Sequence, residues 1–178
     1  MISMLDQINQ LTVTDLDELS QFYQEVCAHQ PLDDFSPDWH WGEYPSRDSL
    51  REALATHQCV VGRVGKRIAA AGILSVGEDP DYHDIPWPTQ VADDEIAVLH
   101  LFAVHPDFRG QGLAQPMMRG LLTAAKAHGQ RVVHLDVMTS NQPAERLYRK
   151  CGYVLAADKV MPYADIGDTP ARLYEYQL

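Results

Sequence analysis

Leu16, Leu19, Phe22, Tyr23 and Val26 fall three or four positions apart behind Thr14-Asp15, and that spacing predicts an amphipathic helix opening at the threonine and aspartate. A short strand is expected before it. After Ser46 a second helix is expected, turning Leu50, Ala53 and Leu54 toward a core. Residues 59–76, CVVGRVGKRIAAAGILSV, read as two strands joined at Gly65-Lys66, a hairpin signal. EIAVLHLFAV, 95–104, is a continuous apolar strand broken by one histidine. A helix from about Leu113 to His128 comes next. The strand RVVHLDVM, the helix PAERLYRKC, and strands near 153–157 and 172–178 complete the chain.

The resulting order, β-α-α-β-β-β-α-β-α-β-β, predicts an α/β (α+β) fold. Its sheet is mixed, twisted and largely antiparallel, of about seven strands flanked by about four helices. One parallel crossover runs through the 113–128 helix. No repeat or Gly/Ser linker divides the chain, so residues 1–178 are expected to form a single domain. Two stretches stand outside the periodic elements, 31–45 (PLDDFSPDWHWGEYP) and 78–95 (EDPDYHDIPWPTQVADDE). Both lack Lys and Arg but carry carboxylates and aromatics. Segments that long are functional loops or disordered ones, and the tryptophans favour packing.

Composition narrows the chemistry. At 178 residues and 46% hydrophobic, the chain can bury one ordinary core. A formal net charge of -11 argues against nucleic acid, whose phosphates need a basic face, and suits cationic small molecules. The longest apolar runs, such as Ile68 to Leu74, are too short to span a membrane, and MISMLDQINQ lacks a secretory pattern. Cys27, Cys59 and Cys151 are odd in number and unpaired in spacing, which points to a reducing cytoplasmic compartment and away from a zinc site. His134 and Asp136 have no third ligand at useful spacing, so no metal is expected. Cys151 has no His/Asp arrangement beside it that would make it a nucleophile.

Against that acidity, HPDFRGQGLAQPM is unexpected. It sets Arg109, Gly110 and Gly112 between an apolar strand and a helix. Helix N-termini present free N–H groups, glycines admit a phosphate close to the backbone, and arginine adds a charged fork. The alternative is a glycine-rich turn with a solvated arginine. Neither G-x-x-x-x-G-K-[ST] nor G-x-G-x-x-G is present, and G-x-S-x-G is also absent. Farther on, NQPAERLYRKCGY has a capping asparagine, a first-turn proline and a terminal glycine. Its Ala144, Leu147, Tyr148 and Cys151 share one helix face.

Together these stretches resemble the GNAT superfamily of N-acetyltransferases. The strand VLHLFAVHP carries the likeness with the R-x-x-G-x-A loop (Arg109, Gly112, Ala114) and N-x-x-A-x-x-L-Y-x-x-x-G-Y (Asn141, Ala144, Leu147, Tyr148, Gly152, Tyr153). The resemblance covers about residues 95–157. It implies acetyl-CoA as cofactor, with its pyrophosphate on the backbone of Arg109, Gly110, Gln111, Gly112, Leu113, Ala114 and Gln115. It implies that Phe102, Ala103 and Val104 pair with the pantetheine arm, that Asn141 touches the cofactor, and that Tyr148 is general acid toward the departing thiolate. Pro116 departs from the best phosphate helix by removing one donor.

Many members carry a glutamate where this chain has Val98, so the base is open. Strand alternation puts His100 on the face of Val98, and its intrinsic pKa near 6.5 suits a base toward an ammonium, directly or through water. A buried structural histidine is the alternative, with Glu95 and Asp94 as rival bases. The acceptor pocket of the family corresponds to the two acidic, aromatic stretches. Their candidates are Asp33, Asp34, Trp39, Trp41, Tyr44, Tyr82 and Trp87, which suit a cationic amine. The expected reaction is direct acetyl transfer to a small primary amine in a ternary complex. A peptide or protein N-terminus, or a non-catalytic acyl-CoA sensor, are the alternatives, and a homodimer is left open.

Overall fold

The computed structural model describes residues 4–178. Strand β1, Gln7–Gln10, leads to helix α1, Leu16–His29, whose start is tied by the Thr12 N–H donating to the Asp15 carboxylate at 2.7 Å. Helix α2, Arg47–Thr56, is opened by a reciprocal cap: Ser46 Oγ accepts from the Ser49 N–H at 3.1 Å, and Ser49 Oγ accepts from the Ser46 N–H at 2.9 Å. Then follow β2 (Gln58–Val64), β3 (Arg67–Val76), β4 (Ile96–Val104), α3 (Ala114–Ala127), β5 (Val132–Met138), α4 (Gln142–Cys151), β6 (Val154–Tyr163) and β7 (Gly167–Gln177).

The seven strands form one sheet in the order β1-β2-β3-β4-β5-β7-β6, antiparallel throughout except at β4–β5. That parallel step requires the α3 crossover. Alternation along β3 sorts the two faces: Ala71 and Ile73 pack with α1 and α2, Ala70 and Leu74 with α3 and α4. Gly72 lies where α3 comes nearest, since a Cβ there would sit 2.7 Å from Leu121 Cδ1. The last hairpin is longer than the expected 153–157 and 172–178. As the sheet edge, β6 is mostly solvent-exposed and has little apolar alternation to reveal its length.

Two irregularities open the middle of the sheet. β4 and β5 pair only over Ile96–Val98 against Val132–His134, although both strands continue beyond that point. The main chain of Leu99 to Val104 therefore has no β5 partner. On the β3 side, the ladder steps from Ile73↔His100 to Ala71↔Ala103, so Leu101 and Phe102 stand opposite Gly72 alone. Leu101 takes φ +53, a left-handed conformation costly for a leucine. The Tyr23 hydroxyl of α1 holds it by donating to the Leu101 carbonyl at 2.6 Å. This bulge reverses the strand's alternation: Leu99 faces the α3 side, whereas Leu101 and Ala103 face α1.

Candidate active site

Where β4 and β5 part, a cavity of about 940 Å³ opens between the sheet, the ends of α3 and α4, and the loops before α2 and before β4. One end is the phosphate-type loop. Gly110 and Gly112 hold φ +73 and +76, which only glycine adopts without strain, and open space lies above both. No side chain caps α3 at Leu113, so its first-turn N–H groups are left for another acceptor. Arg109 Nε donates to the Val104 carbonyl at 3.2 Å and Nη1 donates to Asp33 Oδ1 at 2.7 Å. The turn before it is anchored to α1 by His105 Nε2, 2.6 Å from Glu25 Oε2. These features fit the pyrophosphate and extended arm of coenzyme A: an uncapped helix start, a bare glycine backbone, an arginine, and an unpaired strand edge beside them.

Tyr148 reaches the cavity from α4 and is nearly buried, its ring edge-on to Phe102 at 6.4 Å and to Tyr153 at 5.7 Å. Glu145, one turn earlier, fixes α4 on β7. Its carboxylate accepts from Arg172 Nη1 at 2.8 Å, from Arg149 Nη2 at 3.2 Å and from the Tyr174 hydroxyl. Gly152 ends the helix at φ +104. Burial pushes the Tyr148 phenol well above the ordinary tyrosine value, so it is neutral and holds its proton. His100 lies on the same cavity, its Nε2 3.0 Å from Ser75 Oγ. Burial lowers its pKa against an opposing pull from Asp79 and Asp136, which favours the neutral, proton-accepting ring.

His100, Tyr148, Phe102, Ala103, Val104, Arg109, Ala114 and Asn141 thus share one cavity, with Trp39, Tyr44 and Asp33 on its other wall. Gly110, Gln111, Gly112, Leu113 and Gln115 flank it. The Leu113 side chain is buried in the core, so this residue can serve only through its backbone. The remaining candidates lie elsewhere. Trp41 packs on the α1–α2 core instead of the cavity wall. Tyr82 is buried beneath the site and donates to Asp136. Trp87 stacks on His134 at 3.6 Å and lines a separate cavity of about 230 Å³. Trp41 thus joins the cluster under α1 and α2, and Tyr82 and Trp87 join the one around Val98 and Val132. The rival bases also lie outside, since Glu95 accepts from the Ala92 N–H at 3.0 Å and pairs with Arg131 at the opposite end of β4.

His134 and Asp136, two residues apart on β5, take separate roles. His134 is buried between Glu78 and Glu175, at 2.9 and 3.0 Å, which ties the 78–95 loop to β5 and β7. Among the described residues no cluster of three His, Cys, Asp or Glu could hold a metal. Asp136 instead accepts from the hydroxyls of Tyr82 and Tyr163 and lines the cavity with Asp79, Asp81, Asp165 and Glu43. Sequence reading did not single out Asp136 as a cavity residue. Its one signal was a charged residue inside the apolar strand VVHLDVM.

Comparison with known proteins follows the same lines. The family model described as "Acetyltransferase (GNAT) family" matches residues 19–153. A Bacillus subtilis protein named as a [ribosomal protein bS18]-alanine N-acetyltransferase is 33% identical over 128 residues, covering 72% of this chain and 74% of that one. The mycothiol acetyltransferase of Corynebacterium glutamicum is 34% identical over 124 residues, 70% of this chain and 39% of that one. Two further curated relatives are longer, the chain spanning 31% and 34% of their lengths. The crystal structure of the ribosomal-protein-S18-alanine N-acetyltransferase from Escherichia coli superposes with TM-score 0.68 at 21% identity, covering 96% of this chain and 92% of that one.

Proposed function

The chain belongs to the acetyltransferase (GNAT) family, and on that premise we propose that residues 1–178 act as one N-acetyltransferase domain, moving an acetyl group from acetyl-CoA to a primary amine by direct transfer. The observation that carries this reading is the single cavity joining the Arg109–Gln115 loop, the unpaired edge of β4, Tyr148 and His100. Acetyl-CoA supplies the activated thioester. The chain supplies the rest. Backbone amides at 110–115 and the Arg109 guanidinium hold the pyrophosphate, and the main chain of Phe102, Ala103 and Val104 aligns the arm as an added strand would. Asn141, at the start of α4, is a further contact.

His100, kept neutral by burial, accepts the proton that an ammonium acceptor must lose before its nitrogen can attack the thioester carbon. As the carbon–sulfur bond breaks, the Tyr148 hydroxyl hydrogen-bonds the sulfur and delivers its proton there. The burial that holds the proton on the phenol also raises the basicity of a thiolate formed beside it, so the hydroxyl can donate to the sulfur. Asp136 lines the same cavity and is an alternative acceptor.

The acceptor wall is acidic. Glu43, Asp79, Asp81, Asp136 and Asp165 line it together with Trp39 and Tyr44, and among the described residues Arg109 is the one Lys or Arg on the lining. That wall supports a small cationic amine, since carboxylates and aromatic faces both attract ammonium groups. The likeness to the Bacillus subtilis enzyme named for alanine acetylation on a ribosomal protein supports a peptide N-terminus as the second reading. A non-catalytic acyl-CoA sensor is disfavoured by a tyrosine and a histidine converging on one cavity. Free-thiol release from acetyl-CoA, measured with a panel of diamines, aminosugars and short peptides, decides among them. Turnover on free amines is the expected result; turnover on peptides alone would select the second reading, and none at all the sensor.

A further inference from the structure

Asp33 joins the two ends of the cavity. Its Oδ1 accepts from Arg109 Nη1 at 2.7 Å and lies 2.9 Å from His29 Nδ1 on the preceding helix. The carboxylate is the more buried partner, its side chain 12% exposed against 37% for the guanidinium. Asp33 also begins the irregular segment that runs to α2. Gln30 fixes that segment through both polar atoms of its side chain, donating to the Trp39 carbonyl at 2.6 Å and accepting from the Trp39 N–H at 3.0 Å. The same segment carries Glu43 and Tyr44 to the acceptor wall. One ion pair thus links the phosphate loop to the segment that forms the acceptor pocket.

A carboxylate and a phosphate make the same kind of contact with a guanidinium. Two anions on one arginine also repel each other at short range. We propose that Asp33 is a positioning residue that occupies Arg109 in the free protein and competes with the cofactor's pyrophosphate for it, so that cofactor binding releases the 33–45 segment and resets the acceptor wall. The proposal rests on the cofactor reading above. His29 Nδ1, four residues earlier, already contacts the same carboxylate oxygen at 2.9 Å, so Asp33 keeps a hydrogen-bond partner when Arg109 turns to the pyrophosphate. Because coupling between sites is reciprocal, whatever loosens Asp33 must tighten the phosphate end.

The sign separates this role from a merely structural one. Asp33→Asn keeps the shape of the side chain and removes the competing charge. The variant should bind coenzyme A about two- to fivefold tighter, the range of a part-exposed ion pair. Pantetheine, the same arm without phosphates, should bind both proteins equally. In the wild-type protein, coenzyme A should speed amide hydrogen exchange within 33–45, and that effect should vanish in the variant. Weaker coenzyme A binding by the variant, an equal change for coenzyme A and pantetheine, or unchanged or slowed exchange at 33–45 in the wild type would each overturn the competition. Loss of coenzyme A binding in both proteins would overturn the cofactor reading itself.

Discussion

His100 Nε2 stands 3.0 Å from Ser75 Oγ, diagonally across the β3–β4 ladder, because His100 pairs directly with Ile73 and Ser75 lies two residues along the same face. The hydroxyl holds the ring through Nε2, and His100 also lines the cavity. If His100 is the proton acceptor, kcat/KM rises with pH through a group titrating below the ordinary histidine value near 6.5, because burial lowers it. The unfolded chain takes that proton first. Folded stability should therefore fall as pH drops below about 6.5, until the lowered value is passed. His100→Gln should remove the acid limb and soften that dependence of Tm. An unaltered limb in the folded variant would move the role to Asp136 or to water.

Tyr148→Phe should lower kcat by about 10²–10⁴-fold, the usual worth of a general acid. Its ring contacts with Phe102 and Tyr153 do not involve the hydroxyl, so coenzyme A affinity and Tm should hold. Full kcat on a good amine would leave Tyr148 a packing residue only.

Acetyl-CoA should raise Tm, since a ligand at 100 times its Kd adds about 2.7 kcal/mol. Gly112→Ala tests the loop. Nothing lies within 4 Å of the added Cβ, so its cost is backbone strain at φ +76, about 1–2 kcal/mol. Relief of that strain should shift the loop out of shape and weaken acetyl-CoA, measured by calorimetry. Unchanged affinity would remove the loop backbone from the site.

Asp136→Asn should raise KM for a cationic acceptor about tenfold or more while affecting a neutral acceptor less, because only the charge is lost near the site. Tyr82 and Tyr163 donate to different oxygens of Asp136, so one keeps donating to the amide oxygen while the other turns its hydroxyl to accept from the amide N–H, which limits collapse of the wall. An equal change for both acceptors would make Asp136 a fastener for the two tyrosines.

Local spacing already determined much of this molecule. Leu16 through Val26, the serine before α2 and the glycine after α4 are signals read within one turn of helix, so element order and the sheet's single crossover followed from them. The loop at Arg109 and the tyrosine of α4 were legible for the same reason: each is a contiguous motif. Tertiary structure alone decided how the site is assembled. The bulge at Leu101 depends on a hydroxyl 78 residues away in sequence, and it reverses the alternation that the apolar run VLHLFAV implies. Trp41, Tyr82 and Trp87 left the pocket because burial rewards any apolar surface, and a ring in an acidic loop carries no mark of which surface it will meet. Asp136 and the Asp33–Arg109 pair were hidden for the complementary reason. A carboxylate's partners are chosen by charge and distance across the fold, and sequence spacing carries neither.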